Sequence, residues 1–102
     1  MRIIKELVEE IKEELEGAGE YAEKAVRYKG TDDGTASMYA EMAQQELGHV
    51  DRLHSKVQDI IKKHRAEKGE PPAAMIAVWE WEHKELIKNA AEVRAMIEMA
   101  KK

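Results

Sequence analysis

Apolar side chains return every three or four residues along almost the whole chain, and only two clusters of helix-breaking residues interrupt them. That period belongs to the α-helix, in which residues three and four apart share a face. Ile4, Leu7, Val8, Ile11, Leu15, Ala18, Ala22, Ala25 and Val26 make a first stripe and predict a helix over about residues 2–29. Gly17 and Gly19 weaken that helix locally, which is the pattern expected where another backbone passes close. The run Gly30-Thr31-Asp32-Asp33-Gly34 predicts the first turn, with Thr31, Asp32, Asp33 and Thr35 available as caps.

A second stripe runs through Tyr39, Met42, Ala43, Glu46, Val50, Leu53, Val57, Ile60, Ile61 and His64, ending near Lys68. Gly69-Glu70-Pro71-Pro72 stops it, because proline lacks the amide proton that a helix interior needs. The third stripe is Met75, Ile76, Trp79, His83, Leu86, Ile87, Ala90, Val93, Ile97 and Ala100. The expected fold is therefore all-α: three long helices in a single domain spanning residues 1–102. Helices of roughly 28–33 residues are about 42–50 Å long at a rise of 1.5 Å per residue. Three such rods cover little of one another, so a homodimer or higher homo-oligomer is expected.

Several function classes fall away on composition. The chain has no cysteine, so thiolate metal sites, iron–sulfur clusters and disulfides are excluded. The 17 basic and 21 acidic residues leave a net charge of −4 with the signs interleaved, which argues against nucleic acid as a partner. No apolar run approaches the ~20 residues needed to span a bilayer. Met1 to Leu7 alternates charged and apolar residues unlike a signal peptide, so the expected compartment is the cytoplasm.

Within the second stripe one residue is out of place. Glu46 occupies a position that the pattern reserves for apolar side chains, and a carboxylate there needs a partner, a proton or a metal. One helical turn on is His49. Glu-x-x-His on a helix lets a carboxylate and an imidazole reach the same cation, as in helical-bundle di-iron and di-manganese sites. The chain repeats the motif as Glu80/His83, with His83 on the third stripe. His54 and His64 read as partly exposed neutral histidines, Trp79 as core, and Trp81 as a packing residue at a subunit contact.

The segment Glu41-Met42-Ala43-Gln44-Gln45-Glu46-Leu47-Gly48-His49-Val50-Asp51-Arg52-Leu53 resembles the second helix of the ferritin and rubrerythrin superfamily. The first helix of that family carries a ligand glutamate with a tyrosine seven residues later, a separation that Glu14 and Tyr21 reproduce. At about 100° per residue, Glu14 lies about 80° from the centre of the first stripe, Glu16 about 120°, and Glu13 and Glu20 on the opposite face. A turn centred near Asp32 also sets Glu14 level with the Glu46/His49 pair. Glu14 is the preferred ligand, with Glu16 and Glu20 as alternatives; Tyr21 is expected in the core or hydrogen-bonded to a ligand carboxylate.

The resemblance implies a ferritin-like antiparallel bundle with an iron centre, manganese being the other cation that carboxylate-rich ligands suit. The implied metal ligands are Glu14, Glu46, His49, Glu80 and His83. The family site draws on four helices, however, and this chain has three. Straight helices would set the two Glu-x-x-His pairs about 15 Å apart along the bundle. A twofold dimer supplies the missing ligands, since two copies of Glu14, Glu46 and His49 make four carboxylates and two imidazoles. That arrangement resembles the short encapsulated ferritins and small rubrerythrin-like proteins, and it implies a ferroxidase that oxidises Fe(II) with O₂ or H₂O₂. The competing expectation is a non-catalytic helical scaffold that pairs with partner helices.

Overall fold

The computed structural model describes residues 2–102, all of them in three helices and the links between them. Helix α1 spans Arg2–Tyr28, α2 spans Asp33–Lys68 and α3 spans Ala73–Lys101. The first turn is tighter than the glycine-to-glycine run implies, because α2 already begins at Asp33. Its Asp32 side chain accepts from the Thr35 amide at 3.0 Å, capping one of the free N–H groups of the new helix. Gly30 adopts φ 85°, a left-handed conformation that glycine enters without the penalty of a Cβ, and donates its amide to Asp33 Oδ1 at 2.8 Å. Gly69, at φ 83°, closes α2 in the same way, its amide donating to the Arg65 carbonyl at 3.2 Å.

Facing residues fix the directions of the helices. Glu14 meets His49, Gly17 meets Glu46, and Tyr28 and Tyr21 both stack on Tyr39, so α2 runs back along α1. His54 meets His83, while Lys12 bonds Glu82 and Lys29 donates to the Met99 carbonyl, so α3 runs back along α2 and in the direction of α1. The result is a rod of 55 × 18 × 18 Å with a radius of gyration of 16.3 Å. A compact domain of this length has a radius near 13 Å.

The core joins Ile4, Val8, Ile11 and Leu15 of α1 to Leu47, Val50, Val57 and Ile61 of α2 and to Leu86, Val93 and Ile97 of α3. Towards the first turn the buried residues of α1 and α2 are alanines (Ala18, Ala22, Ala25, Ala36, Ala40, Ala43), which let the two backbones approach. No polar or charged side chain is fully buried among the described residues. This corrects the sequence-based placement of Glu46. The stripe of α2 centres on Ala36, Ala40, Ala43, Leu47 and Val50, so Glu46 lies on its flank with 27% of its side chain exposed. Alanines carry the inward face at little cost, whereas an inward carboxylate would lose its hydration. The third stripe is also narrower than expected: Leu86 points inward and Ile87 is 56% exposed. No helix is long and apolar enough to cross a membrane among the described residues.

Candidate metal centre

Two helices build the candidate site. Glu14 comes from the flank of α1, next to buried Leu15, and Glu46 and His49 come from one side of α2, flanking buried Leu47. Glu14 Oε2 lies 3.1 Å from His49 Nδ1, and Glu46 Oε1 lies 4.0 Å from the same nitrogen. One ligand atom from each residue falls within 4.8 Å of the other two, and this is the one such trio among the described residues. The register explains the meeting: Glu14 and His49 are nearly equidistant from the turn at Thr31 and Asp32. Glu13, Glu16 and Glu20 are exposed and lie outside the trio.

Gly17 completes the cradle. A Cβ at this position would come 3.3 Å from Glu46 Oε2, tighter than ordinary van der Waals contact. The close approach that the glycine permits is therefore to a carboxylate, and the nearest atoms are those of a side chain, where the sequence implied a passing backbone. Gly19 differs in kind, because a Cβ there would sit 3.7 Å from Val93 Cγ2, an ordinary apolar contact.

The electrostatics are those of two neighbouring carboxyls that shift each other's ionisation in opposite directions. The hydrogen bond between them lowers the pKa of Glu14 and raises that of Glu46. Partial burial and the negative charge of Glu14 push Glu46 further up, whereas His49 lowers both groups. Like charges this close resist joint ionisation, so the two carboxyls ionise unequally, Glu14 more readily and Glu46 less. A cation among the three residues would relieve that repulsion. Two carboxylates and one imidazole, open to solvent on the His49 side, match hard or borderline divalent ions such as iron and manganese.

The second Glu-x-x-His pair does not join this centre. Glu80 is exposed and lines a groove between α2 and α3, together with His83, Gln58, Lys62 and Arg65. His83 turns instead to His54 of α2, with Nε2 to Nε2 at 2.7 Å and the rings stacked at 4.6 Å. Trp79 stacks on both, 5.3 Å from His83 and 6.0 Å from His54. Burial lowers the pKa of His54 and the neighbouring His83 lowers it further, with Asp51 opposing. Sequence reasoning missed this pair because it weighed each histidine on its own helix. The available signal was that both histidines flank Gly69-Glu70-Pro71-Pro72 at distances within about one helical turn of each other, His54 15 residues before Gly69 and His83 11 after Pro72. His64 hydrogen-bonds the Gly69 carbonyl across the turn at 3.2 Å, and Tyr21 sits in the tyrosine stack.

Comparison of the chain with protein-family models, curated proteins and solved structures returns no significant match.

Proposed function

We propose that this protein is a ferritin-like iron-binding protein whose carboxylate–histidine centre is completed by a second copy of the chain, and that it acts as a ferroxidase. The observation that carries the reading is the convergence of Glu14, Glu46 and His49 within 4.8 Å, from two helices, beside a glycine that makes room for one of the carboxylates. The donor chemistry fits iron, with manganese as the alternative occupant. In this reading Glu14 and Glu46 neutralise and orient the cation, and His49 supplies nitrogen from the open side. Iron itself supplies the electrons for reduction of O₂ or H₂O₂. A full peroxidase cycle would need an external reductant, since the chain has no cysteine to hold a rubredoxin-type electron donor, and this favours ferroxidase activity.

The shape supports self-association. The rod exposes 6892 Å², against about 5,900 Å² for a compact monomer of its 11.7 kDa mass. That excess of about 1,000 Å² is comparable to the roughly 800 Å² that each partner buries in a standard interface. A twofold contact across the face of Glu14 and His49 would bring two trios together and supply four carboxylates and two imidazoles.

A second reading has its own observation. Val78 and Trp81 of α3 are 63% and 62% exposed, which suits a helix that pairs with a partner helix in a non-catalytic scaffold. Aerobic Fe(II) titration of metal-free protein separates the two. Ferric absorbance and size-exclusion mass are followed together, with Glu46→Ala and His49→Ala alongside. Saturation near two irons per dimer, lost in both variants, is the expected result. Absence of iron uptake with an unchanged assembly state would overturn the metal reading and favour the scaffold.

A further inference from the structure

The histidine pair between α2 and α3 is a second place where the chain assembles donor atoms, and its chemistry differs from that of the carboxylate trio. His54 and His83 direct Nε2 atoms at each other at 2.7 Å from separate helices, with rings nearly parallel at 15°. At that distance a single proton lies between two nitrogen lone pairs, so one ring donates and the other accepts. Two imidazole lone pairs converging on one point is also the arrangement that a nitrogen-preferring metal ion uses.

We propose that His54 and His83 form a bis-histidine site, separate from the trio of Glu14, Glu46 and His49, that takes a borderline divalent transition ion of the Zn(II) or Cu(II) class. The ion replaces the shared proton. Zinc–imidazole bonds of about 2.0–2.1 Å at a tetrahedral angle need the nitrogens about 3.3–3.4 Å apart, so they must separate by roughly 0.6 Å. Such a movement is cheap here: both rings are half-buried, and α3 has no fully buried residue between Ala73 and Glu85. Asp51 and Glu80 each stand one helical turn before a histidine of the pair, but neither places a carboxylate oxygen within 4.8 Å of both imidazoles, so water fills the remaining positions. Imidazole nitrogen selects Zn(II), Cu(II) and Ni(II), whereas the carboxylate-rich trio selects iron and manganese. The inference does not rest on the proposed ferroxidase reading, because no residue is shared.

Trp79 provides the readout. Its ring lies 5.3 Å and 6.0 Å from the two imidazoles, close enough for a bound Cu(II) ion to quench its fluorescence. The titration is run on Trp81→Phe/His49→Ala protein, so that Trp79 is the one emitter and the trio is disabled. Cu(II) should quench Trp79, Zn(II) should compete, and His54→Gln or His83→Gln should weaken the effect at least about tenfold, a loss of the size that even outer-shell changes cause at metal sites. Quenching midpoints unchanged in both histidine variants would overturn the proposal. Should either variant fail to fold, the electron paramagnetic resonance spectrum of the Cu(II)-loaded parent decides. Nitrogen couplings from two imidazoles support the site, and an oxygen-only spectrum refutes it.

Discussion

Gly17→Ala is expected to move stability and metal affinity in opposite directions. Within a helix, alanine is favoured over glycine by about 0.8–1 kcal/mol, and for a domain of this size that corresponds to a rise in Tm of up to about 4–8 °C. Against this stands the new Cβ, 3.3 Å from Glu46 Oε2. The carboxylate is the far end of a flexible side chain with 27% of its surface exposed, so it swings aside by a few tenths of an ångström with little penalty. Metal binding is less forgiving, since displacing Oε2 swings the whole carboxylate, including the Oε1 that faces His49. A tenfold loss of affinity, about 1.4 kcal/mol, is the expected minimum. Thermal unfolding followed by circular dichroism and calorimetric titration with Mn(II) measure the two quantities. Gly19→Ala is the matched control: its Cβ meets Val93 Cγ2 at 3.7 Å, so Tm should rise while affinity stays put. An unaltered affinity in Gly17→Ala, with the higher Tm, would refute the assignment of Glu46 as a ligand. A fall in Tm would show that something stiffer than a carboxylate occupies the space.

Three further outcomes are expected. The raised pKa of Glu46 means that its contribution to stability is present at low pH and is lost as pH rises through the raised value, while the lowered pKa of Glu14 contributes above the ordinary carboxylate range and fades as pH falls through the lowered value. Glu46→Gln, which donates to Glu14 at any pH, should therefore be more stable than the parent in metal-free denaturation at neutral pH and should take up no iron. Ile97→Ala removes a 1%-exposed core side chain and should cost about 2–5 kcal/mol in chemical denaturation. Asp32→Ala should lower Tm, by an amount that shrinks as acid protonates Asp32, whose pKa is held down by its bonds to Thr35.

The three helices and both turns were legible because helical period and helix breakers act locally. The Glu14–His49 meeting was legible for a related reason: a tight turn near Asp32 fixes which residues of two long helices stand level. The depth of Glu46 was not. Alanines count weakly in a hydrophobic pattern, yet Ala36, Ala40 and Ala43 define the inward face of α2 and rotate Glu46 to its edge. Helix α2 also meets α1 and α3 on adjoining sides, so large residues such as Tyr39, Leu53 and Ile60 serve the flanks, partly buried. The partnership of His54 with His83 escaped for want of register: His54 looks ordinary on its own helix, His83 was paired with Glu80, and only folding about Gly69 and the prolines sets the two histidines face to face.

All four buried residues of α3 lie from Leu86 to Ile97, and the thirteen residues that follow the prolines, 73–85, have none. The helix is thus anchored more firmly towards its C-terminal end. Opening that frees residues 73–85 removes only the partly buried cover that residues such as Trp79 give the core, whereas opening of the last three turns exposes Val93 and Ile97 and approaches global unfolding. Amide hydrogens should accordingly exchange along a gradient, fast after Pro72 and slow beyond Leu86. The contact between His54 and His83 stands near the point where that gradient turns.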